Sequence, residues 1–229
     1  VPEPRVAMLP EVAAQRRVLA DLLDTLQDHE WTTASLCVGW TVHDVLAHLT
    51  LSTRQSTAGM VLRILRARGD FDRAEARAAR ERAAAHPPTV LTAQLRETAA
   101  LDRRVGMSSR WDPLVDVLVH SQDIARPLGR RLPTPPDLAV PALEHVWSNV
   151  FYGRPARRMS GLRLVATDTA WVGGDGPEVC GTAGDLLLLA TGRPVSASGV
   201  TGPGVGEAGR CPAPLLTCSR RPIRCAPCS

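Results

Sequence analysis

From Pro10 to His29 the apolar residues Val12, Leu19, Leu22, Leu23 and Leu26 recur at helical spacing, while Arg16, Arg17, Asp21 and Asp24 fall largely off that stripe. This predicts a first helix over 10–29. A loop, EWTTASLCVGW, follows. A second helix is predicted from Thr41, where TVHD reads as a capping box with Asp44 in place of the usual Glu. Val42, Val45, Leu46 and Leu49 form its apolar face, and the pattern runs on to Ala67. Residues 69–88 (GDFDRAEARAARERAAAHPP) are charged and Ala-rich and read as a mostly solvated surface segment, in part helical. A third helix is predicted over 89–105. The fourth opens with Asp112 as cap and Pro113 at the first helical position, where a missing N–H costs nothing, and ends near Leu128–Gly129. A further helix is predicted over 138–152. Long helices with one apolar face each imply an antiparallel four-helix bundle, so the chain reads as mainly α over residues 1–155.

The pattern changes after Gly153. GLRLVATDTAWVGGDGPEV predicts two short strands around a glycine-rich turn. GTAGDLLLLATGRP predicts a short helix with Thr182 as N-cap, Asp185 in its first turn and Gly192 as its stop. Residues 156–205 therefore read as a small α/β C-terminal domain. Residues 206–229 are Arg-, Pro- and Cys-rich without periodicity and read as an irregular tail.

Composition narrows the function. No apolar run approaches the roughly 18 residues that span a bilayer, and VPEPRVAMLPEV lacks the charged-then-apolar order of a signal segment. A membrane partner is not expected, and the expected location is cytoplasmic. All 27 basic residues are Arg, a bias expected of a GC-rich coding sequence such as an actinobacterial one. The formal charge is +4, of which the last 24 residues, with four Arg and one Glu, supply +3. With no compact basic face and no interleaved aromatics, nucleic acid is not an expected partner. Cys37 and Cys180 are isolated, which fits a reducing compartment, while Cys211, Cys218, Cys225 and Cys228 crowd the tail. The tail cysteines complete no known metal spacing, and this segment reads as divergent rather than as a zinc knuckle.

The candidate chemistry lies in the fourth helix. Between Pro113 and Ala125 there is no Arg or Glu, yet Asp116, His120 and Asp123 are present. At about 100° per residue these three fall within a sector of roughly 60°. Asp116 and His120, four apart, are direct neighbours able to grip one ion. Burying an unpaired carboxylate is costly, so such a pair needs a compensating partner, and a cation supplies one. Spacing alone fits a structural Asp–His pair equally well. Of the remaining histidines, His86 sits in a Pro-rich loop, His29 at a helix end and His43 in a first turn. His48 lies one turn deeper, beside the apolar face. His48 with Asp116 and His120 gives three N/O ligands, the count of a zinc site with one open position. Asp123 is placed to accept a hydrogen bond from a ligand imidazole.

SLCVGWTVHDVLAHL (35–49) and DVLVHSQDIARPLG (116–129) together resemble the mycothiol-dependent maleylpyruvate isomerase family, part of the wider group of DinB-like metal-binding four-helix bundles. The segments LRLVATDTAW and GDLLLLATGR (162–193) resemble that family's small C-terminal domain. The resemblance implies His48, Asp116 and His120 as metal ligands. Asp116 departs from the family's usual Glu and is one methylene shorter. It also implies an Arg from the C-terminal domain at the active-site mouth, for which Arg193 is the candidate catalytic residue. The implied cofactors are a divalent metal, zinc first, and mycothiol. The implied activity is isomerisation of the maleylpyruvate type or thiol transfer on a small-molecule substrate, by a monomer or homodimer. The alternative is a DinB-like protein that binds metal or responds to redox state without catalysis.

Overall fold

In the computed structural model of the chain, the described residues are 10–52, 57–101 and 109–211. The architecture is mainly helical with one small sheet. Helix α1 spans Pro10–Leu23, α2 Val42–Ser52, α3 Thr57–Arg66, α4 Phe71–Ala85, α5 Pro88–Glu97, α6 Asp112–Ala125 and α7 Pro136–Trp147. The short α8 (Pro155–Arg158) leads into strands β1 (Arg163–Ala166), β2 (Val172–Gly173) and β3 (Glu178–Gly181). Helices α9 (Ala183–Ala190), α10 (Val195–Ser198) and α11 (Val205–Ala208) follow.

Helices α1 and α2 each pack against both α5 and α6, and α2 packs most extensively against α4. Leu19, Leu23, Val42, Val45, Leu46, Leu49, Leu91, Leu95 and Ile124 fill the core between them. A second core joins α6 and α7 to the sheet and α9, through Leu114, Leu118, Leu143, Leu164, Leu186 and Leu187. Residues on either side of position 155 therefore share one core. Helix α6 belongs to both clusters, which is why apolar residues cover nearly its whole circumference.

Several expectations need correction. The first helix stops at Leu23, and Asp28–Thr32 forms a separate 3-10 turn instead of its last turn. Arg16 is buried rather than outward-facing, because its guanidinium donates to the carbonyl of Ala99 just beyond α5, at 3.1 Å. The segment expected to be solvated is α4, capped by Asp70, whose side chain accepts from the Arg73 amide. Its small residues Ala74, Ala78 and Ala79 let it lie close on α2. Asp112 is the first residue of α6, not its cap. Its carboxylate accepts from the Ser109 amide and from Tyr152 Oη, and pairs with His145 of α7. The fifth predicted helix, over 138–152, is α7, ending at Trp147. The C-terminal unit has three strands rather than two, in the order β2-β1-β3, with β1 antiparallel to β2 and parallel to β3. The helix over 89–105 ends at Glu97, and its predicted end lies outside the described residues. So do the junction 53–56 between α2 and α3, the first nine residues, and the tail from 212, with Cys218, Cys225 and Cys228.

Two local devices match the sequence reading and position the site. The Thr41–Asp44 box closes as predicted: the Thr41 amide donates to Asp44 Oδ2 (2.9 Å) and the Asp44 amide to Thr41 Oγ1 (3.2 Å). This fixes the first turn of α2, one turn before His48. At the other end of the chain, Thr182 caps α9 reciprocally with Asp185. Gly192, at φ +88°, ends that helix in a Schellman turn. The Arg193 amide reaches Leu188 O (2.9 Å) and the Gly192 amide reaches Leu189 O (3.0 Å).

Candidate metal centre

From Leu114 to Ala125 every residue of α6 is buried except Asp116. Asp116, His120, Asp123 and Arg126 run along one stripe of this helix at i, i+4, i+7 and i+10. The stripe meets three other elements in turn: α2 at its start, the 35–40 loop in its middle and the C-terminal unit at its end.

Three donors converge at the start. Asp116 Oδ1 lies 3.4 Å from His48 Nε2 and 3.4 Å from His120 Nε2. The three atoms all lie within 4.8 Å of one another. Charge-assisted hydrogen bonds close to about 2.7–2.9 Å, and these contacts do not. A tetrahedral ion with ligands at about 2.0–2.1 Å instead requires ligand atoms about 3.3–3.4 Å apart. Both separations from Asp116 match that spacing, and the trio is close enough to hold a divalent cation. The side chains of Asp116, His48 and His120 are 24%, 16% and 10% exposed, so the cluster opens to solvent on the Asp116 side.

The rings are held from behind. Trp40 packs edge-on against His48 with centroids 5.4 Å apart, and His48 and His120 meet the same way at 4.9 Å. His48 Nδ1 faces Glu75 Oε2 of α4 at 3.5 Å, an ion-pair distance without hydrogen-bond alignment. Arg63 of α3 lies 3.8 Å from the other Glu75 oxygen. Burial pushes the His48 pKa down, but Asp116 and Glu75 on either side outweigh it and raise it from 6.5 to about 10. Two carboxylates around one imidazole demand a positive charge between them, as a proton or as a metal ion. Burial likewise raises the Asp116 carboxyl, and His48, His120 and Arg16 more than reverse this, leaving it below the usual range.

The other face of His120 is sealed. Its Nδ1 lies 2.8 Å from Asp123 Oδ2, and Asp123 is fully buried. Arg193 donates through Nε to Asp123 Oδ1 (2.9 Å) and through Nη2 to Oδ2, and through Nη1 to Thr191 O (3.1 Å). The Cys37 thiol donates to Asp123 Oδ2 at 3.1 Å. Burial alone would raise the Asp123 carboxyl, but Arg193 and His120 hold it far below the usual carboxylate range. Acceptor-only Asp123 then assigns the proton of neutral His120 to Nδ1, leaving Nε2 free as a ligand. Cys37, His120 and Asp123 also cluster tightly enough to bind an ion. Closed hydrogen bonds and the Arg193 cation already satisfy that cluster, so it is a poor cation site.

The structure thus brings together His48, Asp116 and His120. It places Arg193 behind His120, 5% exposed and hydrogen-bonded to Asp123. His43 lies apart, with Nε2 on His86 O. Sequence reasoning missed Glu75, Cys37 and Arg193's pairing with Asp123. A usable signal existed only for Glu75, which shares the small-residue face of Ala74, Ala78 and Ala79.

Residues 12–112 match the family profile described as the mycothiol maleylpyruvate isomerase N-terminal domain. That stretch includes His48 and ends before Asp116. Among solved structures, the chain is similar to one titled "Crystal structure of the mycothiol-dependent maleylpyruvate isomerase", with TM-score 0.57 and 17% identity. The likeness covers 90% of this chain and 96% of that one. A histidine-to-alanine mutant structure under the same name matches with TM-score 0.56, again at 17% identity and the same coverage. A search of curated proteins gives no match. No helix of the described residues is long and apolar enough to cross a membrane.

Proposed function

We propose, from the match of residues 12–112 to the mycothiol maleylpyruvate isomerase N-terminal domain profile, that the chain is a divalent-metal-dependent enzyme using mycothiol on a small-molecule substrate. The reaction is an isomerisation of the maleylpyruvate type or a thiol transfer. In this reading α1, α2, α5 and α6 form a DinB-like antiparallel bundle. The observation that carries the proposal is the pair of 3.4 Å separations from Asp116 Oδ1 to the two Nε2 atoms.

His48 Nε2, Asp116 Oδ1 and His120 Nε2 would hold the ion. Two imidazoles and one carboxylate with an open position match the donor count of catalytic zinc. When bound, the ion would lower the pKa of a coordinated thiol so that it is thiolate at neutral pH. The histidines add no charge as ligands and Asp116 adds one negative charge, so the donor set favours an anionic fourth ligand. Asp116, the exposed member, marks where thiol and substrate enter. Trp40 and the α2 core keep water from the back of His48. Glu75 and Asp123 each face the Nδ1 of one ligand histidine and orient its ring.

The test is metal analysis of the purified protein, then mycothiol titration of the cobalt-substituted form. About one equivalent of zinc, with a mycothiol-dependent change in the cobalt absorption bands, is expected. Less than about half an equivalent of any divalent ion would remove the metal site, given that three-ligand zinc sites fill stoichiometrically. A cobalt spectrum indifferent to mycothiol would leave a protein that binds metal without the thiol chemistry.

A further inference from the structure

Arg193 belongs to the C-terminal unit, yet its guanidinium ends two hydrogen bonds away from His120 Nδ1, on the ring of a proposed ligand in the helical unit. Building on the metal reading above, we propose that Arg193 is a positioning residue. It fixes Asp123 so that His120 presents Nε2 to the ion, and it thereby couples docking of the C-terminal unit to metal occupancy.

The argument starts from donor and acceptor capacity. A guanidinium only donates, and its planar fork matches a carboxylate. Here Nε and Nη2 engage Asp123 Oδ1 and Oδ2 side by side. Asp123 must therefore accept on both oxygens, and Oδ2 also accepts from His120 Nδ1 at 2.8 Å. The Nδ1–H tautomer follows, and with it a free lone pair on Nε2. Without the fork the buried carboxylate loses its charge partner and the two contacts that fix its orientation, so its hold on Nδ1, and with it the ring's tautomer and tilt, is loosened. Lys cannot replace the fork, because an ammonium is a point charge that reaches one oxygen well.

Arg193 is itself placed by the backbone. Gly192 at φ +88° and the Schellman turn fix the residue after α9, and Nη1 is tied to Thr191 O. Helix α9 is anchored in the core shared with α6 and α7. Undocking this unit would remove Arg193 from Asp123. By thermodynamic reciprocity, an ion held by His120 must then strengthen docking by as much as docking strengthens the ion.

A second ion pair supplies an internal control. Arg126, which caps the C-terminal end of α6 three residues after Asp123, pairs with Asp185 in the first turn of α9 at 2.5 Å. It joins the same two units without touching His120.

The experiment measures zinc affinity by chelator competition, the His120 tautomer by imidazole ¹⁵N shifts, and Tm, for wild type, Arg193→Gln, Arg193→Lys and Arg126→Gln. The expected result for Arg193→Gln is a loss of zinc affinity of about 10–100-fold, as for other residues that orient metal ligands. His120 should move off the Nδ1–H form, and Arg193→Lys should recover only part of the loss. Arg126→Gln should lower Tm yet keep zinc affinity within about twofold, since it leaves the ligand-orienting contacts intact. Wild-type zinc affinity and tautomer in Arg193→Gln would overturn the proposal, as would an equal affinity loss in Arg126→Gln. Should Arg193→Gln fail to fold, the wild-type tautomer still decides: His120 protonated on Nε2 would overturn it. A wild type that binds no zinc at all is a failure of the metal reading, distinct from a wild type that binds zinc with Arg193 irrelevant.

Discussion

The two faces of His120 are built from the same chemistry and differ in one respect. On the Nδ1 side, imidazole, carboxylate, thiol and guanidinium close to normal hydrogen-bond distances with Asp123 fully buried. On the Nε2 side, two imidazoles and a carboxylate stop at 3.4 Å, beside the one residue of this stretch that reaches solvent. The Nδ1-side network, with the fixed charge of Arg193, has contracted, whereas the Nε2 side keeps a spacing that suits either a proton on His48 or an ion. Polar residues on a buried helix can therefore be sorted by whether their contacts have closed.

The largest effect expected from this contrast is on metal retention. His48→Ala and His120→Ala should each abolish it in metal analysis after dialysis, while His43→Ala, on the far side of the α2 turn, should leave it intact. Retained metal in His120→Ala would end the assignment of the open side. The closed side should dominate folding. Asp123→Ala removes the carboxylate partner of the buried Arg193, and should cost about 3–5 kcal/mol in denaturant unfolding of the metal-free protein. Asp116→Ala, at the exposed edge, should cost less than half of that, and the reverse order would erase the distinction between the two faces.

Solution pH sharpens the comparison further. His48 rises from 6.5 to about 10, with Asp116 and Glu75 outweighing the burial that lowers it. A raised pKa stabilises the fold fully below the unfolded value and loses that contribution as pH passes through the folded one. Chelator-treated protein should therefore lose several degrees of Tm between pH 6.5 and about 10, and His48→Gln should flatten that slope. The smallest effect is expected at Glu75→Gln, which weakens the hold on His48 Nδ1 without removing a ligand. Zinc affinity should fall about tenfold in chelator competition, and the loss of Tm between pH 6.5 and about 10 should be shallower than in wild type.

Much of this was legible in the sequence. The apolar residues around α6 marked a buried helix, though not that it serves two cores, and its polar exceptions marked the candidate ligands. The Thr41 and Thr182 capping boxes placed two helix starts, because capping chemistry is local. What stayed hidden was long-range. Cys37 looked isolated because its partners Asp123 and Arg193 lie 86 and 156 residues away. Periodicity reports that a face is buried, not which face it meets. Glu75 was read as solvated since a charge run with alanines has no apolar stripe, yet small residues are what allow α4 to approach α2. Arg16 was misjudged for a similar reason: its burial depends on carbonyls beyond the end of α5, more than 80 residues on.

The order in which the chain is synthesised gives these separations a further meaning. His48 emerges first, Asp116 follows 68 residues later, and Arg193 comes 70 residues after Asp123. For 68 residues a growing chain thus carries one of the three proposed ligands, and later the full set without the clamp behind it. The clamp behind His120 is complete only after the turn at Gly192 has left the ribosome. On the proposed reading, an ion entering from the Asp116 side would find the His120 ring held from behind only from that stage on.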